Sequence, residues 1–144
     1  IYFICETLSK TAVNSLTACV DVFVSLHRAE CFGLVMAEAM LLGTPVIATN
    51  WSANTEFMNR ESACMVDYKK TAIEQDIPPF KKGYHWAEAD VAQAAAYMKR
   101  LCEDSAFYEQ KKAEAGAYIR EKTKMQHSVS LLEDRLGKIL EERK

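Results

Sequence analysis

Three short apolar runs punctuate the first half of the chain: DVFVSL (21–26), PVIATN (45–50) and ACMVDY (63–68). Each has the length of a strand, and none shows the polar alternation of a strand that faces water on one side. Strands buried on both faces and separated by helical patterns build parallel sheets from right-handed βαβ units. The sequence therefore predicts an α/β chain, a parallel sheet flanked by helices. IYFIC (1–5) reads as a further strand, and Ser9 as the N-cap of a short helix through TAVNSLTACV. The helix predicted over Phe32–Leu42 stops at Gly43, with Pro45 just beyond. Ser52 or Asn54 starts a short helix through TEFMN.

Residues 69–87, with Pro78-Pro79 and Gly83, read as a long loop, which divides a βα core (about 1–68) from C-terminal helices (88–144). Asp90 and Gln93 have the spacing of a capping box. Val91, Ala94, Ala95, Met98, Leu101 and Cys102 follow at helical spacing. A second helix is expected over about 106–122. A third carries Val129, Leu132, Leu136, Ile139 and Leu140 on one stripe, for packing against the sheet or a neighbouring domain.

The 144 residues make one ordinary domain, and a net charge of −2 from scattered side chains offers no bulk field for nucleic acid or an anionic membrane. No apolar run reaches the roughly 20 residues of a membrane-spanning helix, and no signal peptide is visible. The five cysteines include no C-x-x-C pair. Cys5, Cys19, Cys64 and Cys102 lie in apolar patterns as small buried hydrophobes, which fits a reducing cytoplasm and argues against zinc. The sequence opens at Ile1 inside a strand pattern without an initiator Met, and reads as a piece of a longer protein.

Glu38 raises a separate question, because its helix (Leu34, Val35, Met36, Ala37, Ala39, Met40, Leu41) offers it no basic partner. An ionised carboxylate in apolar surroundings costs several kcal/mol unless paired or hydrogen-bonded. Glu38 faces solvent on a narrow polar edge, pairs with a distant cation, or accepts hydroxyls from a ligand. The helix begins just past the carboxyl end of DVFVSL, the edge at which open parallel sheets bind ligands. Gly33 permits close backbone approach there, and the free first-turn N–H groups favour an anion such as phosphate. Glu38 lies roughly 9 Å along the helix from Phe32, and Glu30 sits just outside its start. Two acceptor-only carboxylates bracketing an anion site match ribose, pyrophosphate and sugar in a nucleotide-sugar.

The run Glu30-x7-Glu38, with FGL inside it and EAM-LLGTPVIAT after it, resembles the signature of retaining nucleotide-sugar glycosyltransferases of the GT-B fold, glycosyl transferases group 1. DVFVSLHRAECFGL, Phe57 to Tyr68 and Trp86 to Leu101 resemble bacterial, mannosyltransferase-like members that build lipopolysaccharide O-chains. The resemblance implies a Rossmann-like, donor-binding C-terminal half of a GT-B enzyme. Glu30 would then be the catalytic carboxylate at the donor sugar. The backbone around Cys31, Phe32, Gly33 and Leu34 would hold sugar and distal phosphate, and Glu38 the ribose hydroxyls. The implied substrate is a GDP- or UDP-hexose, without cofactor or metal. The implied partner is a glycan acceptor presented by an N-terminal domain outside this sequence, with no nucleic acid and no transmembrane segment. The expected location is cytoplasmic, with peripheral docking of the parent enzyme at the inner membrane face left open. An Arg and a Lys that clamp the diphosphate in the family also fall outside the sequence, so this stretch alone is expected to be inactive.

Cys31 and Ala53 stand where the family usually has Gly, and Cys31 is expected to narrow the sugar pocket. His27 reads as structural. Arg28 suits either a phosphate or a surface pair, and Trp51 and Asn54 lie within possible reach of the sugar. The alternative to an enzyme is a non-catalytic Rossmann-like nucleotide-binding or regulatory module.

Overall fold

A computed structural model describes residues 1–142. Its elements are α1 (Lys10–Cys19), β1 (Phe23–Ser25), α2 (Leu34–Leu41), β2 (Val46–Thr49), a 3-10 turn (Ala53–Glu56), β3 (Cys64–Val66), β4 (Tyr68–Ala72), β5 (His85–Ala89), α3 (Val91–Glu103), α4 (Ser105–Lys122) and α5 (Met125–Glu141). The three apolar runs pair as a parallel sheet in the order β1-β2-β3, with Val24 beside Ile47 and Ala48 beside Met65. Alternate side chains leave opposite faces of a strand, and the core divides accordingly. Val46, Ala48 and Met65 pack with Met36, Ala37 and Met40 of α2 and Ile119 of α4. Ile47, Cys64 and Val66 pack with Ala94 and Leu101 of α3 and Phe107 of α4. β2 and β3 are covered on both sides, which is why they read as apolar throughout, whereas β1, at an edge of the sheet, is only partly covered and leaves Val24 exposed, contrary to the sequence expectation. Each fully buried Ile or Val stabilises the fold by about 1.5–3 kcal/mol relative to an exposed position.

Local signals set the ends of several helices. The Ser9 hydroxyl accepts from the Ala12 N–H, and Asp90 accepts from the Gln93 N–H. Gln93 does not reciprocate as a capping box would; its side-chain amide bonds Asp67 instead. At the end of α2, Gly43 (φ 79°) donates to the Met40 carbonyl and Thr44 to that of Ala39, the paired bonds of a Schellman motif. The buried Lys111 of α4 is stabilised by donating to the carbonyls of Arg60 (2.7 Å) and Glu61 (2.5 Å).

Five further sequence expectations are corrected. IYFIC is not a strand: it is exposed and pairs with nothing among the described residues. An apolar pentapeptide forms a strand only beside a partner. Residues 69–87 are not a loop throughout: β4 and β5 form an antiparallel ribbon from Tyr68↔Ala89 to Ala72↔His85, and only 73–84, with Pro78-Pro79 and Gly83, is the connection between them. Most of the ribbon's side chains are exposed, so it lacks the period-two apolar signal. On α3 the buried positions are Ala94 and Leu101, with Tyr97 packed beside them, while Val91, Met98 and Cys102 face out. Cys5 and Cys19 are exposed as well, leaving only Cys64 as a buried thiol. The stripe on α5 does not pack against the sheet, since the helix buries none of its residues.

Candidate functional site

β1 hands the chain to a loop, residues 26–33, at the carboxyl edge of the sheet, and this loop delivers α2. The loop is braced from below by His27. Asn54 Nδ2 donates to the Thr49 carbonyl (3.0 Å), which turns Oδ1 toward His27 Nε2 (3.2 Å). Nε2 also faces the Trp51 carbonyl (3.0 Å), so it carries the proton, and Nδ1 accepts from the Ser25 hydroxyl (3.2 Å). Both ring nitrogens of His27 are satisfied within the protein. Asn54, wholly buried, is a strut beneath the loop.

Arg28 turns away along the β4–β5 ribbon. It pairs with Glu88 (2.8 Å) and lies 4.6 Å from the centre of the Trp86 ring, while its carbonyl accepts from the Ala87 N–H (3.0 Å). Of its two readings, the surface pair is the one observed. Trp51 packs on Tyr68 with ring centres 5.0 Å apart.

Glu30 is fixed from two directions. Its Oε1 accepts from the N–H groups of Cys31 (3.0 Å) and Phe32 (3.4 Å). Its peptide is gripped by Ser52, whose hydroxyl donates to the Glu30 carbonyl (2.6 Å) and accepts from the Glu30 N–H (3.3 Å). Sequence reasoning gave Ser52 only a helix-starting role. Its backbone, at φ 78° and ψ −158°, lies in a region that is nearly exclusive to glycine and costs of order 1–3 kcal/mol. No local sequence signal announces that conformation.

Gly33 begins α2 at φ 93°, and a Cβ there would meet the Met36 methyl at 2.5 Å. Having no side chain, Gly33 leaves the first turn of α2 uncapped. A cavity of about 410 Å³ opens here, lined by Phe23 and Ser25 of β1 and by residues 30–36. It gathers Glu30, Cys31, Phe32, Gly33 and Leu34. Glu38, His27, Arg28, Trp51 and Asn54 are not part of its lining. The wall combines a carboxylate, helix-start N–H groups and the exposed apolar side chains of Phe32, Leu34 and Val35. Such a surface accepts hydroxyl donors and an anion together with an apolar ring face. Among the described residues, no three His, Cys, Asp or Glu side chains converge to hold a metal ion.

Glu38 lies one turn beyond this cavity and is not without a partner. Lys10, at the start of α1, forms an ion pair with it. The Glu38 side chain is 27% exposed and that of Lys10 65%, so the pair is partly solvated and of small energetic weight. The absence of a cation held only along α2 itself; a helix 28 residues away in sequence supplies one. Glu38 therefore needs no ligand to be accommodated.

Residues 3–104 match the family described as glycosyl transferases group 1. The chain belongs to that family. The match covers α1 to α3, and with it the whole glycosyltransferase sheet and the Glu30 loop. The α/β architecture, with helices on both faces of a parallel sheet, is that of a Rossmann-like half of a GT-B glycosyltransferase. No curated protein matches the chain. No helix among its described residues is long and apolar enough to cross a membrane.

Proposed function

We propose that this glycosyltransferase chain binds a nucleotide-sugar, a GDP- or UDP-hexose, and places the sugar against Glu30 for transfer to a glycan acceptor with retention of configuration. One observation carries the reading: a family member joins the Glu30 carboxylate and the uncapped start of α2 in a single cavity at the carboxyl edge of its sheet. The Cys31 and Phe32 amides already hold one anionic group, the Glu30 carboxylate itself. The first-turn N–H groups would take the distal phosphate, and Cys31, in the cavity wall, would narrow the sugar pocket. Catalysis would come from positioning and from stabilising the departing diphosphate. The resemblance to enzymes of lipopolysaccharide O-chain synthesis supports a surface glycan as the product.

The ribose assignment of Glu38 rests on the family pattern alone, now that Lys10 accounts for its charge. Binding would require the ribose hydroxyls to displace or share Lys10, which a partly solvated pair permits.

A second reading, a non-catalytic nucleotide-binding or regulatory module, is favoured by one observation: both carboxylates have partners within the chain. Calorimetry of the full-length protein with GDP-, UDP-, ADP- and dTDP-sugars, followed by turnover of whichever binds, separates the two. The enzyme reading expects Glu30→Ala to lower turnover more than nucleoside-diphosphate affinity, and Glu38→Gln to weaken donor binding with the fold intact. Donor binding without turnover supports the module. Unchanged donor affinity in Glu38→Gln removes the ribose role.

A further inference from the structure

Ser52 is the sole non-glycine with positive φ among the described residues. Glycine would occupy φ 78°, ψ −158° without strain. A side chain at such a place is tolerated because its surroundings hold it there. The peptide before Ser52 is tied through the Trp51 carbonyl to His27 Nε2 (3.0 Å). Its own carbonyl accepts from the Thr55 hydroxyl (2.7 Å) and the Thr55 N–H (3.3 Å). With both neighbouring peptides fixed, the hydroxyl is delivered to a single target, the N–H and carbonyl of Glu30 across 22 residues of sequence.

We propose that Ser52 is a positioning residue for Glu30, a role that rests on the assignment of Glu30 to the donor sugar. The clamp joins the loop after β2 to the loop after β1, so that the peptide of Glu30 is set by the neighbouring strand. The Cys31 and Phe32 amides then orient its carboxylate from the other side. Misplacing a catalytic carboxylate by about 1 Å costs on the order of 100-fold in rate. The hydroxyl is what a glycine at this position would lack.

The test uses Ser52→Ala and Ser52→Gly in the full-length protein, with donor kinetics and melting temperature read for both. Alanine keeps the strained backbone and loses the clamp, whereas glycine loses both. The expected result is a fall in kcat of roughly 10- to 100-fold in each variant, with KM for the nucleotide-sugar within about threefold of wild type. Ser52→Gly should also melt above Ser52→Ala. Activity and stability then part company, as a purely structural residue would not allow. A kcat within twofold of wild type in both variants, or a kcat that recovers with melting temperature in Ser52→Gly, overturns the proposal. If the wild-type protein turns over no nucleotide-sugar, the transfer reading fails on its own. Amide exchange at Cys31 and Phe32 then decides for Ser52: faster exchange in Ser52→Ala supports the clamp, and unchanged exchange defeats it.

Discussion

Replacing Asn54 by Ala tests the brace beneath the site. Its amide makes two strong hydrogen bonds, to the Thr49 carbonyl (3.0 Å) and with His27 Nε2 (3.2 Å), and a weak one from Nδ2 to the Met58 sulfur (3.8 Å), in a position that is 0% exposed. Neither partner is stranded by the change. The Thr49 carbonyl keeps the Trp51 N–H (2.8 Å), and His27 Nε2–H keeps the Trp51 carbonyl (3.0 Å). Two bonds at about 1 kcal/mol each are lost without the larger penalty of an orphaned buried group. The small void left by the amide adds roughly 0.5 kcal/mol. Asn54→Ala should therefore cost about 2–3 kcal/mol, a fall in melting temperature on the order of 5–10 °C. Urea unfolding of Asn54→Ala, His27→Ala and the double variant should show a coupling energy of about 0.5–1 kcal/mol between the sites. Asn54→Asp should be worse than Asn54→Ala, because it seals an ionised carboxylate against the Thr49 carbonyl. A cost for Asn54→Ala below about 0.5 kcal/mol, or strict additivity in the cycle, would refute the brace.

Gly33→Ala should destabilise by about 1–3 kcal/mol in urea unfolding, since φ 93° disfavours a side chain and its Cβ would displace the Met36 methyl; a neutral substitution would contradict the backbone described. Burial pushes the Cys64 thiol up from 9.0 to about 11. Its contribution to stability is thus complete below pH 9 and lost as pH rises through 11. Wild type should weaken over that window more than Cys64→Ala, and at neutral pH a thiol reagent should modify exposed Cys5, Cys19, Cys31 and Cys102 while Cys64 waits for unfolding. The Gln93 amide, and then Arg60, hold the Asp67 carboxyl below its ordinary 3.8. That stability is present above the unfolded value and lost as pH falls through the folded one. The melting difference between wild type and Asp67→Asn should hold at pH 7 and close as pH falls below 3.8 through the depressed folded value.

The strands of the sheet were legible because burial on both faces writes itself into consecutive residues, as in Val46, Ile47 and Ala48. Chain punctuation was equally local: Ser9, Asp90 and Gly43 act on atoms within a few residues. The Glu30 loop could be placed at the carboxyl edge because connectivity follows from strand and helix order. What stayed hidden were pairings between polar groups far apart in sequence. Lys10 reaches Glu38 from another helix, Arg28 holds a ribbon that no apolar alternation foretold, and Lys111 caps carbonyls some 50 residues upstream.

By itself, the order of residues determined an α/β chain with a parallel sheet, the helix ends marked by Ser9, Gly43 and Asp90, and a carboxylate beside the start of α2. Tertiary structure alone decided which polar groups meet: Glu38 with Lys10, Asn54 with His27, and the Ser52 hydroxyl with the Glu30 peptide. The reason is physical. Apolar burial is a property of each element's own face and leaves a periodic trace, whereas a hydrogen bond depends on where two distant backbones come to lie and leaves none.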